Sequence, residues 1–254
     1  MLTRVNHLKG FKLASLDGEI GEVQEFYFDD KHWVIRYLVA DTGDWLFGMR
    51  VLLSPYALKE VSLETRRISI ALTRQQIEDS PPLGTDQAVS RLFEASYYRY
   101  YGWPTYFGGP HPWGPYPVLL RNRREDLDSV QGGQGWDPNL RSTRDVSGYH
   151  VQAKDGALGH IEDFVIDDET WTIRFLIINT SNWWQGHQVL VAPHWIESVN
   201  WAESKVYVDL TRAAIERSPA YSEGDPVTRA YEARLHDHYH GAGTRAAGTG
   251  SSKP

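Results

Sequence analysis

At 254 residues the chain is long enough for one large domain or two small ones. Its 41% hydrophobic and 23% charged content is ordinary globular usage and excludes a wholly disordered or fibrous chain. Lys+Arg 26 against Asp+Glu 33 leaves a formal charge of −7, which repels phosphate backbones and sets nucleic acid aside as a partner.

The absence of cysteine excludes disulfides, thiol nucleophiles and cysteine metal sites. No apolar run approaches the roughly 18 residues of a membrane helix. Met1 to Phe11 lacks the continuous apolar stretch of a signal peptide, so a cytoplasmic location is expected.

Phe11–Ser15, Ile20–Phe28, Trp33–Ala40, Arg50–Leu53 and Arg67–Leu72 are β-branched or aromatic runs parted by turn residues, and they read as strands. Leu58–Leu63 is a weaker sixth. Asp17-Gly18 and Asp29-Asp30 mark two hairpin turns. This density of short strands predicts a small closed barrel. In the third strand Val34, Arg36 and Leu38 alternate with Trp33, Ile35, Tyr37 and Val39, so one face is the more polar.

Thr73 is placed to cap a short helix, with Gln76 at the reciprocal position and Ser80-Pro81 ending it. A second helix is predicted from about Asp86 to Tyr101, with Val89, Leu92, Phe93, Ser96, Tyr97 and Tyr100 along one face. Residues 102–142 form a linker whose first half, GWPTYFGGPHPWGPYP, is too aromatic for an entropic spacer. Trp103, Tyr106, Phe107, Trp113 and Tyr116 must pack on a barrel or offer a binding surface. The basic run Arg121-Asn122-Arg123-Arg124 follows.

Beyond the linker the chain repeats itself at an offset of 138 residues, LDGEIGEVQEFYFDDKHWVIRYL from Leu16 lying over KDGALGHIEDFVIDDETWTIRFL from Lys154. Asp17/Asp155, Gly21/Gly159, Trp33/Trp171, Arg36/Arg174, Pro55/Pro193, Thr73/Thr211 and Tyr101/Tyr239 all match without a gap. Such self-similarity marks a duplicated domain. The organisation is a first repeat at 1–101, the linker at 102–142, a second repeat at 143–240, and a Gly/Ala/Ser/Thr-rich tail at 241–254 expected to be disordered.

Each constellation of polar residues has a structural reading beside a chemical one. Asp29-Asp30 and Asp167-Asp168 fit solvated hairpin turns better than acid/base pairs. Arg36 and Arg174 are read as ion pairs with repeated acids such as Glu78/Glu216 or Asp29/Asp167. A helix cap with an Arg74–Glu78 pair explains the Thr73-Arg74 motif. His236 and His240 stand one helical turn apart with His238 between them, a spacing able to hold Zn²⁺ or Ni²⁺, but a solvated helix end is the simpler account and no metal is expected. Trp45, Trp183 and Trp184 sit in Gly-flanked loops, either as stacking surfaces or as plugs of the barrel end. No HExxH, P-loop, GxSxG or dinucleotide fingerprint occurs.

The run DGEIGEV…F…DD…W.IRYLV…TGDWLFGMRVLLSP followed by LTRQQIEDSP resembles the PRC-barrel domain, over about residues 5–80 and again over 143–218. That family is named for the cytoplasmic barrel of the photosynthetic reaction-centre H subunit and includes the C-terminal domain of a ribosome maturation factor. The downstream helix and YYGWP segment resemble an extension of bacterial multi-copy members. The resemblance implies a mainly β fold: two small PRC-type barrels in tandem, each followed by a short and a longer helix. It implies no shared catalytic residues.

The expectation is a non-enzymatic scaffold or adaptor without cofactor, binding protein partners or itself, with Trp45, Trp183, Trp184, Trp103, Trp113 and Tyr116 as binding candidates. The alternative is a small-molecule or polymer binder using the Trp loops. An RNA- or ribosome-associated factor ranks below both.

Overall fold

The computed structural model describes residues 1–43, 45–46, 49–81, 89–107, 109–120, 140–180, 187–222, 224 and 226–247. Strand outweighs helix, 43% to 22%, so the fold is mainly β. The chain opens with strand β1 (Leu2–Arg4) and a single helical turn, α1 (Val5–Leu8). Then come β2 (Lys12–Ser15), β3 (Gly18–Asp29), β4 (Val34–Asp41), β5 (Arg50–Leu53), β6 (Leu58–Ser62), β7 (Arg67–Ile70), α2 (Arg74–Glu78) and α3 (Arg91–Tyr101). The second half repeats the series as β8 (Leu140–Ser142), α4 (Thr143–Val146), β9 (His150–Ala153), β10 (Gly156–Asp167), β11 (Ile173–Asn179), β12 (Gln188–Val191), a 3-10 turn (Pro193–Trp195), β13 (Ile196–Asn200), β14 (Lys205–Val208), α5 (Arg212–Glu216) and α6 (Arg229–Ala247).

The strands form two seven-stranded sheets of one topology. The first has the order β5-β4-β3-β2-β7-β6 with β8 on β3; the second has β12-β11-β10-β9-β14-β13 with β1 on β10. The expected barrels are thus seen as sheets, and no pairing among the described strands closes the path end to end. Two compact units contain them. A first-repeat unit comprises His7–Arg144 with Asp168–Thr172, and a second-repeat unit comprises Met1–Asn6, Asp145–Asp167 and Ile173–Pro254.

The units do not follow the repeat boundaries. β1 and β8 are equivalent under the 138-residue offset, yet each pairs with the long strand of the other repeat. The registers correspond residue for residue: Leu2 faces Asp167, Thr3 faces Ile166 and Arg4 faces Val165, while Leu140 faces Asp29, Arg141 faces Phe28 and Ser142 faces Tyr27. Hydrophobic alternation alone does not reveal this exchange, because either partner would satisfy it.

The long strands β3 and β10 are the spines of the sheets. β3 pairs with β4 from Glu22 to Asp29, with β2 near its start and with β8 at its end. Serving this many neighbours requires bulges, and glycine supplies the space. A Cβ on Gly21 would stand 2.0 Å from the Asp41 carbonyl oxygen, and one on Gly159 would stand 1.9 Å from that of Asn179. Both glycines also have positive φ, +130° and +152°. Gly21→Ala or Gly159→Ala should therefore cost about 2–4 kcal/mol in urea unfolding, through backbone displacement plus φ strain. A change under about 0.5 kcal/mol, the ordinary surface value, would contradict the close approach.

The hairpin after each spine strand ends on a tryptophan in left-handed geometry, Trp33 at φ 55° and Trp171 at φ 57°. Bulky residues adopt that conformation only when packing holds them there. Trp33 stacks on Phe28 at 5.3 Å between ring centres, and Trp171 lies 6.2 Å from Phe26 while its carbonyl accepts from Ile35 N–H. β4 is buried along both faces from Val34 to Ala40, so the more polar face expected there is interior, and Arg36 is 0% exposed.

The helices agree with the sequence in kind and differ in extent. Thr73 and Gln76 form the reciprocal capping box of α2, and Asp17 accepts from Arg74 N–H at 2.8 Å. α3 starts at Arg91 with Ser90 as its cap and closes at left-handed Gly102; the predicted start at Asp86 falls outside the described residues. α6 continues to Ala247, beyond Gly241 where disorder was expected. Among the described residues no helix is long and apolar enough to cross a membrane.

Candidate functional site

In the first-repeat unit β4 directs Arg36 into the interior, where Asp29, the last residue of β3, meets it. Arg36 Nη2 donates to Asp29 Oδ2 at 2.6 Å, the His32 ring nitrogen Nδ1 lies 2.9 Å from the same oxygen, and Lys31 N–H donates to Oδ1 at 2.8 Å. Burial opposes ionisation of Asp29, but the guanidinium and these hydrogen bonds outweigh it and hold the carboxyl below its ordinary range. Asp29 is only 3% exposed, so the reading of a solvated turn carboxylate is corrected: the turn begins one residue later.

The guanidinium lies under the Tyr106 ring at 3.9 Å and near Trp113 at 4.8 Å, both within cation–π range. Beside it Glu94 of α3, 0% exposed, accepts from Tyr37 Oη at 2.8 Å, Tyr106 Oη at 2.6 Å and Arg91 Nη1 at 3.1 Å. Burial and then the Glu94 charge push the Tyr37 phenol well above its ordinary value. Tyr106 thus joins both halves of a buried network. Arg36 and Glu94 both contact Tyr106 and so hold the linker's aromatic half against β4 and α3.

The linker aromatics named as binding candidates lie around this network. Trp113 is 1% exposed, and Trp103 stacks on Tyr101 at 4.4 Å and on Tyr56 at 5.6 Å. Tyr116 is half-buried in a tight turn, bonded through its backbone to Trp113. Trp113 is thus buried, while Trp103 and Tyr116 each keep part of their surface exposed. Trp45 is half-buried, with the Arg74 guanidinium 4.8 Å over its ring, so Arg74 meets an aromatic face instead of Glu78. Trp183 and Trp184 lie outside the described residues.

The second repeat resolves the same positions differently. Arg174 is exposed on β11 and Nε donates to Glu232 Oε1 at 3.0 Å. Glu232 is the counterpart of Glu94, and among the described residues it meets the arginine directly. Of the partners expected from sequence, Asp29 is the one that meets Arg36, while for Arg174 the expected Glu216 or Asp167 is corrected to Glu232; Glu78 and Glu216 are exposed on α2 and α5.

A second pair of carboxylates, Glu25 and Asp163, holds the exchanged strands. Asp163, 1% exposed, accepts from Arg4 Nε at 3.0 Å and from Asn6 N–H at 3.1 Å. Burial outweighs these bonds and raises its carboxyl above the ordinary range. Glu25, 0% exposed, accepts from Ser142 Oγ and lies 3.5 Å from Arg144 Nη2. Ser142 and Arg144 are the counterparts of Arg4 and Asn6, so one buried carboxylate grips the incoming strand in each unit.

Two surface features remain. The first is a small groove in the first-repeat unit walled by Leu46, Met49, Leu52, Ile77, Pro81 and Phe93, with Arg50 and Glu78 also lining it. Met49 is 45% exposed. The second is a histidine cluster in the second-repeat unit. His236 and His240 of α6 lie with their Nε2 atoms 3.2 Å apart, and His194 of the 3-10 turn joins them, its ring centre 5.3 Å from that of His236. His238 turns aside to Ala214 O at 2.7 Å. Partial burial, then His236, His240 and Arg174, lower the pKa of His194. Helical spacing alone missed His194; the repeat alignment carries the signal, because it follows the shared Pro55/Pro193.

Residues 3–77 match the family model of the PRC-barrel domain, spanning β1 to all but the last residue of α2. No curated protein matches the chain.

Proposed function

We propose that both repeats are PRC-type barrel modules and that the chain is a non-enzymatic scaffold binding a protein partner through the groove beside Met49. The tandem reading is supported by the family match over residues 3–77 together with the same strand order in the second repeat. The groove carries the functional reading: it is the place in this unit where exposed methionine meets apolar walls with a cation and an anion beside them. Apolar anchors ringed by charge are how protein interfaces obtain both affinity and orientation. The buried carboxylates and arginine, by contrast, serve the fold.

A photo-crosslinking residue in place of Met49, expressed in the native host, tests this. A recurrent protein adduct that is absent with the same group at exposed Leu16 and lost with Leu46→Asp is expected. Equal labelling at both positions, or none, overturns the groove as a docking site. A small molecule co-purifying without an adduct, and lost with Trp45→Ala, would favour the ligand-binding alternative.

A further inference from the structure

Two equivalent corners of the repeats have opposite chemistry. In the first-repeat unit Tyr56 packs against Tyr98 of α3 at 6.2 Å, edge to face, and Trp103 stacks on Tyr56 as the chain leaves the helix at Gly102. The corner is sealed: Tyr56 is 4% exposed and Tyr98 is 0% exposed. Adding 138 to positions 56, 98 and 102 gives His194, His236 and His240. All three are exposed, and α6 runs on past His240 where the first repeat turns into its aromatic segment.

We propose that His194, His236 and His240 form a binding site for a divalent transition-metal ion of the zinc type. Each offers one ring nitrogen, and the three nitrogens lie within 4.8 Å of one another. For tetrahedral zinc with Zn–N bonds of about 2.0–2.1 Å, ligand nitrogens stand about 3.3 Å apart. The His236–His240 separation of 3.2 Å already meets that requirement. His194 needs only a side-chain adjustment, since its ring is 5.3 Å from His236 and sits on a short 3-10 turn at the surface.

The donor set selects the ion. Three imidazoles suit zinc, nickel or copper and do not suit calcium or magnesium, which take oxygen ligands. Two of the donors sit at i and i+4 on one helix, and the third comes from a separate element, so coordination would tie α6 to the turn after β12. Three protein ligands leave a further position for water or an outside donor. Arg174, whose charge reaches His194, is paired with Glu232, which limits its repulsion of the incoming ion.

The test is zinc titration of the full, untagged chain at neutral pH by calorimetry, with cobalt as the optical probe of coordination. One equivalent is expected, together with a rise in Tm on adding zinc. His194→Ala and His240→Ala should each weaken binding at least tenfold, whereas His238→Ala leaves it unchanged because that ring faces Ala214. The ligands are exposed, so metal-free Tm should be equal in the His194 and His240 variants, and a folding defect would be recognised by its change. Absence of binding, or binding by His194→Ala equal to the wild type, would overturn the three-histidine site.

Discussion

Replacing Asp29 by asparagine should destabilise the folded chain by about 3–5 kcal/mol, because it leaves the Arg36 guanidinium buried without a counter-charge. Two guanidinium nitrogens, Nε and Nη1, already lack a hydrogen-bond partner among the described residues, so Arg36 depends on Asp29 and on the Tyr106 and Trp113 faces. Urea unfolding measures the loss. A double variant, Asp29→Leu with Arg36→Met, should recover most of it, since exchanging a buried ion pair for apolar groups of similar volume is often neutral. The titration has a definite sign. The folded-state pKa of Asp29 lies below the ordinary carboxylate value of 3.8, so its contribution is present above that value and is lost as pH falls through the lower, folded pKa. Asp29→Asn should therefore flatten the acid limb of the stability curve. A loss below 1 kcal/mol with an unchanged acid limb would show that the pair is dispensable.

Removing Met1–Asn6 should have the larger structural consequence. It takes β1 from the edge of β10 and strips Asp163 of both Arg4 and the Asn6 N–H. A buried carboxylate left with the Phe164 N–H alone of the donors named for it and an open strand edge are each unfavourable, and the edge invites pairing with another chain. The expected result is loss of protection from hydrogen exchange at Val165–Asp167, together with concentration-dependent association in sedimentation. A synthetic peptide of residues 1–10 in excess should restore protection and reverse that association. Arg4→Met, which keeps the strand but loses one donor, should show a milder form. A truncated chain that stays monomeric with an unchanged Tm would refute the role given to β1.

The sequence showed the duplication, the strand series and the capping box at Thr73 plainly, because each rests on local pattern: period-2 alternation, turn dipeptides and a short polar cap. It also offered Asp29 as one of the alternative partners for Arg36. Three things escaped it, all for reasons of long range. Equivalent strands such as β1 and β8 satisfy either sheet, so their exchange leaves no local trace. Arg36 looks like a surface residue until Tyr106 and Trp113, distant in sequence, cover it. His194 carries meaning only beside His236 and His240, which the topology supplies and helical spacing does not.

The strand exchange also governs how this chain can be made. Leu2 finds its partner only at Asp167, so the first strand leaves the ribosome 167 − 2 = 165 residues before it can pair. At about 5–20 residues per second that wait is roughly 8–33 s. The first repeat cannot finish either, since its own sheet needs Leu140–Ser142 from beyond the linker. Synthesis therefore proceeds with both sheets incomplete, β10's partner β1 and β3 each waiting for a strand made later. Through that interval β1 is an unpaired strand, open to mispairing until β10 is made.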